Sequence, residues 1–405
     1  MTPPPATQGS RSTHGTHAAH AAAPFLDVDT LIGDRQVEIV ICCGSGGVGK
    51  TTTSAALAVR AAEAGRRVVV LTIDPARRLA QSLGLGELDN TPRPVVGLDT
   101  SAGGSLDAMM LDMKRTFDEV VVTHSPPDKA EAILANPFYK ALSSSFSGTQ
   151  EYMAMERLGQ LHAQASADAA AGRAAWDLIV VDTPPARSAL DFLDAPEHLS
   201  SLLDGRFIRL LLAPAKGPLR LMGVGFTLVS SAMNKILGSQ IITDVQTFVR
   251  ACEAIFGGFR QRAEETFARL SSRHTVFLVV ATAQRDALRE ASYFVDRLTE
   301  EQMPLAGLVV NRVHGSALDV SAQRAAALAE DLDTPDGAAG EHDLEAEALR
   351  RHADLMRVAE AEAALLDRFA TARPDVPQTR VPALPSDVTA LGDLRRVGAL
   401  MAEKD

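Results

Sequence analysis

The chain has 405 residues, 46% of them hydrophobic, 22% charged and 4% aromatic, and its 51 acidic against 40 basic side chains leave a net charge of −11. Length and apolar content suffice for a large core without disulfides, and with Cys42, Cys43 and Cys252 as the three cysteines a disulfide scaffold is excluded. The acidic balance argues against a general nucleic-acid binder, and no apolar run approaches the roughly 18 residues of a membrane-spanning helix.

Residues 1–35 are rich in Pro, Thr, His and Ala and read as a disordered tail. His14, His17 and His20 recur every third position, a spacing that can hold a metal adventitiously. The tail lacks the basic-then-apolar order of a secretory leader, which, with few thiols, implies a cytoplasmic protein.

From Val37 the pattern changes to short apolar runs at 37–43, 67–73, 106–112, 176–182, 275–282, 305–311 and 376–381. Most are Val-, Ile- and Leu-rich without strict alternation, the signature of parallel strands covered on both faces. Helical patterns lie between them, for example at 50–64, 149–171 and 283–302. Strand-helix alternation of this kind predicts an α/β fold: a doubly wound, mostly parallel sheet of about seven strands in one domain spanning 36–405. Two regions interrupt it. Residues 186–272 read as a helical insertion, and residues 313–373 as an acidic, Ala-rich helical region with a turn at 334–340 and a helix from about 343.

The first chemical signal is Gly44-Ser45-Gly46-Gly47-Val48-Gly49-Lys50-Thr51, a G-x-x-x-x-G-K-[ST] loop lying between an apolar run and an Ala-rich helix. Glycines let successive N–H groups turn inward on phosphate oxygens, and the helix N-terminus adds favourable partial charge. In such a P-loop NTPase, Lys50 sits on the β- and γ-phosphates of ATP, Thr51 offers its hydroxyl to Mg²⁺, and Thr52 continues the cradle. Asp182 ends the apolar run 176–182, where a carboxylate holds Mg²⁺ opposite the loop. Asp74 ends the run 67–73. It can activate the attacking water, or cap a helix that begins at Pro75, and the two roles are compatible.

These motifs resemble the deviant-Walker-A ATPases, the group of MinD, ParA and the nitrogenase iron protein. Within that group the chain is most similar to the arsenite-pump (ArsA) and tail-anchored-protein-targeting ATPases. The resemblance rests on GSGGVGKTT at 44–52, Thr72-Ile73-Asp74-Pro75-Ala76 as switch I and Asp182-Thr183-Pro184-Pro185 as switch II. Val309-Val310-Asn311-Arg312 and Val381-Pro382 support it. It implies that Asp74 activates water, that Asp182 supports Mg²⁺, that Asn311 hydrogen-bonds adenine and that Pro382 packs on the base. It also implies a nucleotide-gated dimer.

Three departures qualify it. Ser45 stands where the family carries a second lysine that reaches the partner's phosphates, so the trans charge is absent or falls to Arg77, Arg78 or Arg187, or to a heterodimer partner that is a related ATPase. Arg187 replaces a usual glycine in switch II. The thiols are too few: arsenite needs a cluster of soft thiolates, and no C-x-x-C offers a zinc clasp. Cys42 and Cys43, in the run below the loop, read as small buried hydrophobes. Arsenite or anion pumping is therefore a less expected alternative, and zinc binding is not expected.

Within the insertion, residues 207–212 and 219–229 are strongly apolar, and 221–233 carry no charge. They either pack on one another or, with Met222 and Met233, receive a hydrophobic client or membrane-protein partner. Met153 and Met155 read as core. The expected function is a cytoplasmic Mg²⁺-dependent ATPase whose nucleotide state gates a dimer and couples it to such a partner. The alternative is a weakly active ATP-binding regulatory subunit of a heterodimer. A positioning ATPase that uses a C-terminal amphipathic helix is a further, less supported option.

Overall fold

Five consecutive apolar residues build the central strand. β1 (Ile39–Cys43) is buried along its length, with Ile39, Ile41 and Cys43 in one hydrophobic layer and Val40 and Cys42 in the other. Alternate side chains of a strand face opposite ways, so a strand apolar throughout needs cover on both faces. β2 (Arg67–Thr72) and β5 (Leu178–Asp182) divide likewise: Val69, Leu71, Ile179 and Val181 join the first layer, and Val68, Val70, Leu178 and Val180 the second. The computed structural model describes residues 23–74, 78–136, 139–140, 149–184, 261–262, 264–332 and 342–404.

The remaining strands are β3 (Arg93–Pro94), β4 (Ser105–Met110), β6 (Thr275–Thr282), β7 (Leu305–Val313) and β8 (Gln378–Pro382). Among the described residues the sheet has eight strands in the order β3-β4-β2-β5-β1-β6-β7-β8, parallel except for β3 against β4. All seven expected strands are present. β3 is an addition that periodicity cannot register, because it is two exposed residues at the edge, where a proline lacking an N–H is tolerated. The chain runs from β1 out to β2 and β4, returns through β5, then continues through β6, β7 and β8 on the far side. The order therefore reverses beside β1, and a crevice opens there at the strands' C-terminal ends.

Among the described residues the helices are α1 (Val28–Gly33), α2 (Lys50–Glu63), α3 (Arg78–Ser82), α4 (Met113–His124), α5 (Pro127–Ala135), α6 (Thr149–Ala170), α7 (Arg285–Glu300), α8 (Ala322–Leu332), α9 (Asp343–Ala372) and α10 (Leu391–Ala402). α2 is alanine-rich, and Ala55, Ala56, Ala58, Ala61 and Ala62 let it lie close on the sheet. α10 buries Leu394, Val397 and Met401 in the same layer, which occupies the face that a membrane-binding C-terminal helix would present. Met153 and Met155 are buried in the opposite layer, in line with their reading as core.

The start of the fold needs correction. Residues 23–35 were expected in the tail, yet Phe25 bridges to Gln378 and Asp27 caps α1 by accepting from the Thr30 N–H at 2.9 Å. Val28 and Ile32 are buried. A helix of 6 residues has too little periodicity to be recognised alone and is held by tertiary burial. Residues 1–22, most of the insertion (185–260, with Met222, Met233 and Cys252) and the turn at 334–340 lie outside the described residues. No described helix is long and apolar enough to cross a membrane.

Candidate functional site

The loop between β1 and α2 takes a path open to glycine at its decisive points. Gly44 and Gly49 have φ of 150° and 99°. A Cβ on Gly44 would stand 2.1 Å from the Val280 carbonyl oxygen, and one on Gly49 would stand 2.1 Å from Asn311 Nδ2. Either contact is far inside van der Waals range, so the motif glycines answer to steric need as well as to φ. Gly49 is the N-cap of α2 and no side chain caps that end, so the amides of the first turn are left to an incoming acceptor.

Lys50 opens α2 and is buried, with Nζ donating to the Ser45 carbonyl at 2.8 Å. Burial holds its pKa below the ordinary value, while Asp182 pulls the other way. Asp182, the last residue of β5, is fully buried. Its Oδ2 accepts from the Thr51 hydroxyl at 2.8 Å and the Thr72 hydroxyl at 2.9 Å, whereas its Oδ1 has no hydrogen-bond partner. Desolvation pushes this carboxyl up to about 6 against the effect of the two hydroxyls. An orphaned carboxylate oxygen beside a threonine hydroxyl is an oxygen donor set suited to a hard divalent cation such as Mg²⁺.

Asp74 follows β2, and its N–H donates to Thr72 Oγ1 at 3.2 Å. The Thr72 hydroxyl thus joins the two acidic positions, a role that the sequence reading missed although Thr72 lies within the switch I motif. The capping alternative for Asp74 turns on residues 75–77, outside the described residues.

A cleft of about 1280 Å³ runs over the crest. Gly46, Gly47, Gly49, Lys50, Thr51 and Thr52 line it from the loop and the start of α2, Asp74 and Arg78 from the segment after β2 and the start of α3, and Asn311, Arg312, His314 and Pro382 from β7, the residues just past it, and β8. The structure therefore brings together the loop, Asp74, Asn311 and Pro382, with Asp182 bonded to Thr51 beneath them. A second hollow of about 310 Å³ lies beside the loop, lined by Ser45, Gln284, Asp286, Glu290 and Arg312 among others. Arg77 and Arg187 lie outside the described residues.

Asn311 has a task that its motif did not indicate. Its Nδ2 donates to the Val48 carbonyl at 2.9 Å, and its Oδ1 accepts from the Arg312 N–H at 3.0 Å. The side chain braces the loop to β7. Cys42 and Cys43 are buried, with the Cys42 thiol pushed up to about 12 by desolvation and Cys43 raised by the same cause. Both are inert as nucleophiles at neutral pH, consistent with small core residues.

A family model described as anion-transporting ATPase matches residues 37–323. Among curated proteins, the chain is 24% identical over 292 residues to the ATPase GET3 of Malassezia globosa, covering 71% of this chain and 76% of that protein. It is 28% identical over 248 residues to the ATPase GET3 of Candida glabrata, covering 57% and 67%. It is also 33% identical over 174 residues to Protein Rv2184c of Mycobacterium tuberculosis, covering 40% and 38%.

Proposed function

This chain belongs to the anion-transporting ATPase family and is an ATPase, and from that premise we propose that it is a cytoplasmic, Mg²⁺-dependent enzyme whose nucleotide state gates a dimer. The observation that carries the reading is the Asp182 carboxylate, buried beneath a phosphate-type loop, tied to Thr51 and left with one oxygen unfilled.

The amides of residues 44–50 and the Lys50 ammonium hold the polyphosphate chain of ATP. Lys50 exchanges its bond to the Ser45 carbonyl for a phosphate oxygen, a charge-assisted bond that is the stronger of the two. Thr51 and Asp182 are the residues to hold Mg²⁺, which when bound neutralises charge on the β- and γ-phosphates. Asp74 orients the attacking water and accepts its proton. Asn311 keeps the loop in register with β7, and its remaining N–H together with Pro382 meets the base.

The apolar insertion sequences at 207–212 and 219–229 support a hydrophobic client or membrane-protein partner, and Ser45 supports a related ATPase as the second subunit. Steady-state turnover tests the enzymatic role. Asp74→Asn is expected to lower turnover by about 10²–10⁴-fold with ATP binding retained, the range for loss of a general base. Equal, near-zero rates for wild type and variant would instead favour the regulatory subunit. Co-purification from native cells with mass spectrometry identifies the dimer partner and client together.

A further inference from the structure

We propose that Thr72 is a positioning residue for the crest: its hydroxyl fixes the rotation of the Asp182 carboxylate and ties the backbone of Asp74 to it. The inference rests on the reading of the cleft as an ATP and Mg²⁺ site.

Thr72 closes β2 after Val68, Val69, Val70 and Leu71, and all five are buried. A strand covered on both faces has no need of a hydroxyl there, because valine has the same branched shape and no polar atom to satisfy. A buried hydroxyl is unfavourable unless it is hydrogen-bonded, and Thr72 directs its bonds to the two acidic positions. Its O–H donates to Asp182 Oδ2 at 2.9 Å, and its oxygen accepts from the Asp74 N–H at 3.2 Å. The Asp74 carbonyl, 3.4 Å from Thr72 Oγ1, is the more distant acceptor for that hydrogen. The backbone sets this meeting. Thr72 and Asp182 are the last paired residues of β2 and β5, and the Ile73 N–H donates to the Asp182 carbonyl at 3.0 Å.

The hydrogens give the arrangement a direction. Asp182 Oδ2 accepts from both threonines, so the hydrogens of Thr51 and Thr72 point at it. The Thr51 oxygen keeps its lone pairs for a cation, and a lone pair of the Thr72 oxygen takes the Asp74 N–H. Two donors on Oδ2 and none on Oδ1 hold the carboxylate in one rotation, with Oδ1 as the oxygen of unfilled capacity. With Thr51 alone, a single bond would act as a pivot about which the carboxylate can turn. Because one hydroxyl bonds both acidic positions, a shift of Asp182 on filling of its site is carried to the Asp74 backbone. Groups that orient a metal-binding side chain in this way are worth about 10–100-fold in metal affinity or activity.

Mn²⁺ binding tests this, followed by electron paramagnetic resonance on the full chain with a non-hydrolysable ATP analogue, alongside turnover at saturating Mg²⁺. Thr72→Val keeps the shape and loses the hydroxyl. It is expected to weaken Mn²⁺ about tenfold and lower kcat about tenfold or more, with KM for ATP within about twofold of wild type. Thr72→Ser keeps the hydroxyl and should stay within about threefold of wild type in both readouts. Thr72→Ala, smaller than threonine, takes the place of the valine variant should that one fail to fold. In an Asp182→Asn background, adding Thr72→Val should change Mn²⁺ affinity by less than about twofold, because the group through which Thr72 acts is already altered. Inorganic tripolyphosphate binding in chelator should stay within about twofold in the Thr72 variants, since the loop amides and Lys50 are untouched.

Wild-type behaviour of Thr72→Val, equal losses in the serine and valine variants, an undiminished effect in the Asp182→Asn background, or a parallel loss of tripolyphosphate would each overturn the assignment. Weaker Mn²⁺ with unchanged kcat would overturn the link to Asp74, and lower kcat with unchanged Mn²⁺ would overturn the role at Asp182. The Mn²⁺ readout needs no turnover, so it applies to a regulatory subunit as well. A wild-type chain that binds no tripolyphosphate would sink the nucleotide reading itself, which is a different failure.

Discussion

The two ends of the sheet treat buried charge in opposite ways. At the N-terminal end, Arg66 is 1% exposed and all five of its guanidinium N–H groups have acceptors. Nε donates to Asp177 Oδ1, Nη1 to the carbonyls of Ile32 and Asp34, and Nη2 to those of Val37 and Asp177. Asp177 also accepts from the Arg67 N–H and from Arg35. At the C-terminal crest Asp182 is just as deeply buried, yet it keeps an oxygen without a donor. One strand, β5, begins beside the satisfied carboxylate and ends on the unsatisfied one. Filled hydrogen-bond capacity identifies a charge that holds the fold, and unfilled capacity at a crevice identifies a place for a ligand.

The contrast is open to direct attack, beginning at the satisfied end. Arg66→Met removes the charge and strips the carbonyls of Ile32, Asp34, Val37 and Asp177 of their guanidinium donor, while the Asp177 carboxylate keeps Arg35 and the Arg67 N–H. It should destabilise the fold by about 3–5 kcal/mol, seen as a lower denaturant midpoint, with nucleotide affinity of the folded fraction unchanged. Lys50→Ala should do the reverse. Removal of a buried ammonium whose pKa is already depressed leaves stability close to wild type, while ATP affinity measured by calorimetry drops more than about 100-fold.

Asp182 gives the contrast a pH dependence. Its carboxyl rises from 3.8 to about 6 on folding, so between those values the native state holds a proton that the unfolded chain has released. The cost of ionising it is absent below about pH 4 and complete above about pH 6, so the ligand-free protein loses stability across that window as pH rises. Asp182→Asn carries no charge and escapes this loss. In chelator, denaturant titrations should find it more stable than wild type by up to about 3 kcal/mol near pH 8 and comparable near pH 4. Equal stabilities near pH 8 would mean that the crest carboxylate is as well accommodated as Asp177. The smallest effect is expected at Gly49→Ala, where a strained φ and a clash with Asn311 cost about 1–3 kcal/mol and loosen the brace between loop and β7. Thermal unfolding measures the first consequence and ATP affinity the second.

Much of this site was legible in the chain because its parts are local. Residues 44–52 specify a loop, a strand stop and a helix start within one short segment, and each of Asp74 and Asp182 closes an apolar run that reads as a buried strand. The missed features join residues distant in sequence. Thr72 meets Asp182 across two strands, Gly49 is required by Asn311, and Glu362 reaches His314 from another helix. α1 escaped notice for a related reason, since its apolar pair, Val28 and Ile32, is buried in the layer that α2 and α10 share and is not stabilised by its own turn.

The amino-acid sequence alone determined that this chain winds helices over both faces of a parallel sheet and presents a phosphate-type loop at the sheet's crest. Apolar run length and glycine spacing carry that information within a few residues. The tertiary structure alone decided which buried charges are satisfied and which are not. Hydrogen-bond partners are chosen by proximity in space, and no local pattern reports that Arg66 has every acceptor it needs while Asp182 lacks a donor.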